Sequence, residues 1–326
     1  MQGQNGIVAL KSAGNAFTEL AFNCWQDKAS KGNPILLDRN FRRAVAHAID
    51  KVKINEVAFF GMATPATSVI PPILGDFHWE PSSGEVIPFD LEKAKALLAE
   101  AGYKDTNGDG VREDKNGKPI RLRLYLRSES ASEQKAGKMV SEWLDQIGLK
   151  TESQVMDKGT MQDKIYDNGD FDMFIWGWGG DVDPSFLLSV FTTDQIMDWS
   201  DCMYSNPEYD RMFEEQQHLV DRQARVNMIH EMQKILYEDC PYVVLSYDPD
   251  LQAYRTDKYE GWVQTPKGGN VIMTFSPATY CNLKPIVKAP RAAAKTNTGV
   301  WLAVVLGAVV LAAVVTLVSR RRPHAA

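Results

Sequence analysis

Asp181 follows Gly179-Gly180 in the segment FIWGWGGDVDP, and that order of residue types suits recognition of a charged ligand. Glycines let a backbone approach a ligand closely. A carboxylate beside them can pair with an ammonium group, and the pair is strong only where water is excluded. Trp178 adds a flat apolar wall for a side chain or a cation. Asp181 is therefore read as ligand-binding, and Asp183 as the cap of a helix starting near Pro184. Trp176 and Trp199 are read as core packing.

Two further groups carry chemistry. Arg127 ends an alternating segment, IRLRLYL, and a guanidinium suits bidentate carboxylate recognition. A solvated arginine at a strand end fits the same pattern. The run DTNGDGVREDKN places Asp105, Asn107, Asp109, Gly110 and Glu113 at positions 1, 3, 5, 6 and 9 of a Ca²⁺ loop. Position 12 should be Glu and is Asn116, and nearby Asp114 is out of register. A Gly-rich hairpin loop is the favoured reading. Ca²⁺ is thus the one candidate metal, with ligands Asp105, Asn107, Asp109 and Glu113, and no other cofactor is expected.

Other chemistries lack their signatures. His230-Glu231 begins like H-E-x-x-H, but Lys234 stands where the second histidine belongs. There is no G-x-S-x-G and no phosphate-binding loop. An enzyme is not expected; a hydrolase is kept as an alternative function. A net charge of -6 without a basic stripe argues against nucleic acid. The four cysteines, Cys24, Cys202, Cys240 and Cys281, form no C-x-x-C pair, so metal spacing is absent. Two disulfides in three connectivities, or four free thiols, both stay open.

The elements that must hold these residues alternate in type. Asp38 can cap a helix with Phe41, Val45, Ala48 and Ile49 on one face. Asp50 can cap a second helix reaching about Phe60, and Asp90 opens a third that Gly102 closes. Strands are expected over 120–126, 151–156, 171–176 and 242–247, and helices over 131–147, 161–166, 207–220 and 222–238. Strands alternating with helices predict an α/β domain.

The C-terminus adds a charge-free run, VWLAVVLGAVVLAAVVTLV, over 300–318. At about 1.5 Å per residue it just spans a hydrocarbon core of about 30 Å, which predicts a transmembrane helix. Arg320, Arg321 and Arg322 would then lie in the cytoplasm. The expected localisation is a single-pass cell-membrane protein with its globular part extracytoplasmic and its C-terminus cytoplasmic. The first 16 residues lack the basic and apolar regions of a signal peptide. A fragment of a longer chain is expected for that reason.

Several motifs in order resemble one family. These are FNCWQDKASKGNPILLDRNFRRAVAHAID, GMATPATSVIPP, FDLEKAKALLAEAGY, FIWGWGGDVDP, NPEYD and EMQKILYEDCPYVVL. Over about 17–283 the chain resembles the C-terminal portion of the bacterial extracellular solute-binding proteins of family 5, which includes oligopeptide- and dipeptide-binding proteins. The resemblance implies an α/β, periplasmic-binding-protein-like (type II) lobe with hinge crossings and a partial second lobe. It implies peptide held between two lobes, delivered to the permease subunits of an ABC importer; a receptor-presenting module at the cell surface is the other binding alternative. Asp181 resembles the partner of the peptide α-amino group, with Trp178, Gly179 and Gly180 beside it, and Arg127 resembles a carboxylate partner. Ile175 stands where relatives taking longer peptides carry a basic residue, so ligand length stays open. The implied organisation is a return strand from a missing lobe over 1–37, a solute-binding lobe over 38–240 and a return segment over 241–283. A linker over 284–299, the transmembrane helix over 300–318 and a tail over 319–326 follow.

Overall fold

Aspartate side chains start several helices of this chain. The structure, a computed structural model, describes residues 6–264, 277–287 and 298–319. It opens on a long strand, β1 (Ile7–Phe22). Asp38 then accepts the Asn40 amide at 2.9 Å to start α1 (Arg39–His47). Asp50 accepts the Lys53 amide at 2.9 Å to start α2 (Lys51–Val57). After β2 (Thr64–Pro65), Asp90 caps α3 (Leu91–Glu100) through the Lys93 amide at 2.8 Å. Each cap satisfies a backbone N–H that the first helical turn leaves without a partner.

Strand β3 (Arg121–Arg127) leads into α4 (Ala131–Gln146), β4 (Lys150–Met156), α5 (Lys158–Gln162) and β5 (Met173–Gly179). The short α6 (Ser185–Ser189) precedes a helical pair, α7 (Pro207–His218) and α8 (Arg222–Asp239), and then β6 (Tyr242–Arg255). The six strands form one mixed sheet in the order β2-β6-β1-β5-β3-β4. β3 runs parallel to both β4 and β5, whereas β1 is antiparallel to β5, with Ala16 opposite Gly179 and Phe22 opposite Met173. α4 packs on β3 and β4, α1 on α3, and α7 on α8. Phe17, Phe22, Phe41, Phe171, Phe174 and Phe191 are fully buried in the resulting core. Each such side chain contributes about 1.5–3 kcal/mol. The compact unit that carries all these contacts runs Leu10–Gln252.

One polar knot joins three parts of this unit. Asp172 is 3% exposed. Its Oδ1 accepts from the Asn33 amide at 2.8 Å and from Arg123 Nη2 at 2.9 Å. Its Oδ2 accepts from the Arg123 amide at 2.8 Å and from Arg123 Nε at 3.1 Å. Arg123 also pairs with Asp170. The start of β5 is thereby tied to β3 and to the loop before α1.

Several boundaries differ from the sequence reading. α2 stops at Val57 rather than near Phe60, because Phe60 and Gly61 both turn left-handed, with φ of 56° and 67°. The Gly61 amide closes the helix on Asn55 O at 2.8 Å. β5 starts later than expected and continues through Gly179, because seven residues of β1 pair with it. β6 runs on past Tyr247 to Arg255. Cys24, Cys202 and Cys240 are buried free thiols, and Cys281 is free and exposed.

The described residues outside the Leu10–Gln252 unit form β7 (Tyr259–Glu260), α9 (Pro277–Asn282), β8 (Lys284–Pro285) and α10 (Thr298–Ser319). β7 and β8 pair antiparallel, so the expected linker begins within a strand. The transmembrane span expected over 300–318 is not supported. Among the described residues, no helix is long and apolar enough to cross a membrane. The single-pass localisation and the membrane as a partner fall with that span. The arginines at 320–322 lie outside the described residues.

Candidate ligand cleft

The site is built where β1 and β5 run side by side. Trp178 and Gly179 at the end of β5, with Arg127 at the end of β3, line one cavity of about 300 Å³. Phe17 and Thr18 of β1, Glu133 of α4 and Asp248 of β6 complete its wall. A side chain at Gly177 would meet the backbone oxygen of Phe17 at 2.8 Å, so that position needs glycine for packing, whereas one at Gly180 would first meet the movable tip of Leu187 at 2.7 Å. Nothing lies within 4 Å of a Cβ built on Gly179, which leaves its backbone open. The Gly180 amide donates to Asn15 O at 2.8 Å.

Arg127 is already engaged. Its Nε lies 3.1 Å and 3.0 Å from the two Glu133 oxygens, and its Nη2 donates to the same carboxylate. The hydrogen bonds to Glu133 hold the guanidinium charged, above its ordinary pKa. It also sits over the Trp176 ring, 4.4 Å from the centroid. Trp176 is therefore a stacking platform as well as a buried side chain.

Trp178 separates this cavity from a second one of about 500 Å³, which Tyr166, Trp176 and Trp199 also line. Its Nε1 donates to Asp201 Oδ2 at 2.9 Å, and its ring meets Phe186 edge-on. Trp199, expected in the core, is 48% exposed. It follows the short turns after α6 and packs edge-on against Phe186.

Asp181 lies just beyond the lining. It is exposed and has no hydrogen bond or ion pair among the described residues. Asp183 differs: it accepts the Ser185 amide at 2.9 Å and a two-point contact from Arg225 at 2.7 and 2.8 Å. The Arg225 guanidinium, more than any other neighbour, lowers the Asp183 carboxyl to about 2. Asp105, Asp109 and Glu113 converge on the separate loop before β3, and Asn107 stands between them.

Three acids behind the cleft escaped the sequence reading. Glu19 of β1 is fully buried, and neither carboxylate oxygen has a partner. Burial first, then the charges of Asp201, Asp248 and Glu133, push its carboxyl well above the usual range. Burial pushes Asp201 up to about 7, against the hydrogen bonds of Tyr242 and Trp178 that pull it down. Asp248 is likewise raised by burial, although Ser246 and Thr18 each donate to it at 2.8 Å. A lone charge in the apolar run AFTELAF was the available signal for Glu19.

The model for bacterial extracellular solute-binding proteins, family 5 Middle, matches residues 1–199. The chain belongs to this family. Its members bind solutes and are not enzymes. The oligopeptide-binding protein AppA of Bacillus subtilis (strain 168) is 28% identical over 247 residues, covering 74% of this chain and 44% of AppA. Heme-binding protein A of Haemophilus influenzae is 26% identical over 229 residues, covering 70% of this chain and 39% of that protein. The solved structure of Bacillus subtilis AppA with a nonapeptide superposes with a TM-score of 0.70 at 25% identity, over 81% of this chain and 51% of that one. The periplasmic-binding-protein-like α/β fold is therefore shared, and the chain spans about half the length of the relatives it matches.

Proposed function

We propose that this family member supplies one wall of the ligand cleft in the substrate-binding component of an ABC importer, and that the ligand is a peptide. The observation that carries this reading is the convergence of Trp178, Gly179 and Arg127 on one cavity. The similarity to AppA, whose solved structure holds a nonapeptide, supports a peptide over other solutes. In this reading Asp181 meets the α-amino group at the cleft rim. Trp178 packs against a side chain, and Gly179 and Gly180 let the peptide backbone approach. Arg127 arrives already neutralised by Glu133. It therefore offers a polar contact more than a free charge to a ligand carboxylate. The permease subunits of the importer are the proposed partners.

One wall alone should hold a peptide weakly. Ion pairs facing water contribute about 0–1 kcal/mol each. Association must still overcome at least about 4 kcal/mol of lost freedom. Calorimetry of the 326-residue chain against di- to pentapeptides should therefore give Kd values of about 1 mM or weaker. Micromolar binding would show that these residues enclose the ligand by themselves, contrary to the one-wall reading.

A further inference from the structure

The loop between α3 and β3 has a feature that hairpin geometry does not explain. Oxygens of Asp105, Asp109 and Glu113 lie within 4.8 Å of one another. Acidic side chains cluster at surfaces without binding anything, and Asp105 and Asp109 are exposed. Glu113 is not: it is 4% exposed, and its Oε1 is buried without a hydrogen-bond partner. Its Oε2 accepts from the Thr106 amide at 2.8 Å and Thr106 Oγ1 at 3.1 Å. A carboxylate oxygen held out of water without a donor is strongly unfavourable unless a cation meets it.

The rest of the loop is shaped around the same point. Asp105 accepts the Gly108 amide at 2.7 Å and the Gly110 amide at 2.9 Å. Gly108 and Gly110 adopt φ of 78° and 84°, which turns the chain tightly at the position where a calcium loop requires glycine. The Glu113 amide donates to Lys104 O at 2.8 Å and closes the loop at its base.

We propose that this loop binds one Ca²⁺ through Asp105, Asn107, Asp109 and the buried oxygen of Glu113. The donors are all oxygens, which selects a hard cation, and an irregular oxygen set suits Ca²⁺ better than the strict octahedron of Mg²⁺. Asn116, where a calcium loop carries its bidentate glutamate, supplies no carboxylate. This places the affinity at the weak end, Kd about 0.1–1 mM, the range of extracellular calcium modules. The ion would order the loop that leads into β3, independently of the peptide cleft.

The test is calorimetry on the full chain, stripped with EDTA, titrated with CaCl₂ and separately with MgCl₂, with thermal unfolding in parallel. Ca²⁺ should bind with one site and raise the melting temperature, and Mg²⁺ should bind at least about tenfold more weakly. Asp109→Asn lies at an exposed position and leaves the fold intact, so it should weaken Ca²⁺ at least about tenfold without lowering the metal-free melting temperature. Glu113→Gln should do the same to binding. The proposal is overturned by no binding heat and no thermal shift at about 10 mM Ca²⁺, by equal response to Mg²⁺, or by wild-type Ca²⁺ affinity in Asp109→Asn.

Discussion

Replacing Asp172 by alanine is expected to destabilise the Leu10–Gln252 unit by about 2–6 kcal/mol, because two backbone N–H groups lose their acceptor at about 1–3 kcal/mol each. The Asp172 carboxylate accepts four hydrogen bonds, from the Asn33 amide, the Arg123 amide and two nitrogens of the Arg123 guanidinium. Its side chain is 5% exposed and that of Arg123 is 24% exposed, so water cannot take its place. The alanine would leave the Arg123 guanidinium with Asp170 as its remaining carboxylate and two backbone N–H groups without acceptors. A native domain has only about 5–15 kcal/mol in hand, so this loss is a large share. Urea unfolding followed by tryptophan fluorescence should show a lower midpoint with an unchanged slope. A loss under about 1 kcal/mol would mean that Arg123 and the Asn33 loop find other partners.

A second large effect concerns pH. Glu19, Asp201 and Asp248 all have carboxyls raised by burial, Asp201 to about 7 and Glu19 well above its usual range. In the unfolded chain these groups ionise near their ordinary values, about 4. Their raised folded values mean that the fold keeps protons the unfolded chain has lost. The stability these three groups contribute is therefore full below about pH 4 and falls as pH rises through about 7. Each unit over which only the folded group stays protonated is worth about 1.4 kcal/mol. Asp201 alone is expected to lose on the order of 3 kcal/mol between pH 5 and pH 8, and Glu19 adds to that loss. Glu19→Gln keeps the shape but cannot ionise. It should flatten the slope and be more stable than the wild type at pH 8. Equal slopes in the two proteins would show that Glu19 ionises freely in the fold.

What the sequence made legible was local. Asp38, Asp50 and Asp90 were readable as caps because the cap and its N–H lie within three residues of each other. The face carrying Phe41, Val45, Ala48 and Ile49 was readable because helical periodicity alone sets it, and all four are buried. The order of family motifs carried the fold class. What escaped depended on distant pairing. The extension of β5 through Trp178 and Gly179 is set by β1, more than 150 residues earlier, so residues beyond the expected strand over 171–176 stand within the sheet. Glu133 lies only six residues after Arg127, yet their pairing depends on the turn between β3 and α4. Arg127 consequently looked like a free cation in the sequence. Asp201 gains its meaning only from Trp178 and Tyr242, which come from two other elements. For α10, hydropathy of the run 300–318 suggested a bilayer span, whereas among the described residues no helix is long and apolar enough to cross a membrane.

The central claim is that the cavity beside β5 receives the peptide, and the Trp178 indole is the most direct reporter of it. Its Nε1 donates to Asp201 Oδ2 at 2.9 Å, and its ring borders both cavities. The measurement is a titration of the ¹⁵N-labelled 326-residue chain with a tripeptide bearing a free amino terminus, reading the indole N–H resonances. Trp178→Phe assigns the relevant peak. The account predicts that this peak moves progressively with a Kd of about 1 mM, and that the N-acetylated tripeptide moves it only at several-fold higher concentration. A Trp178 peak that stays fixed at about 10 mM peptide, or a response confined to Trp79 and Trp262, would contradict it.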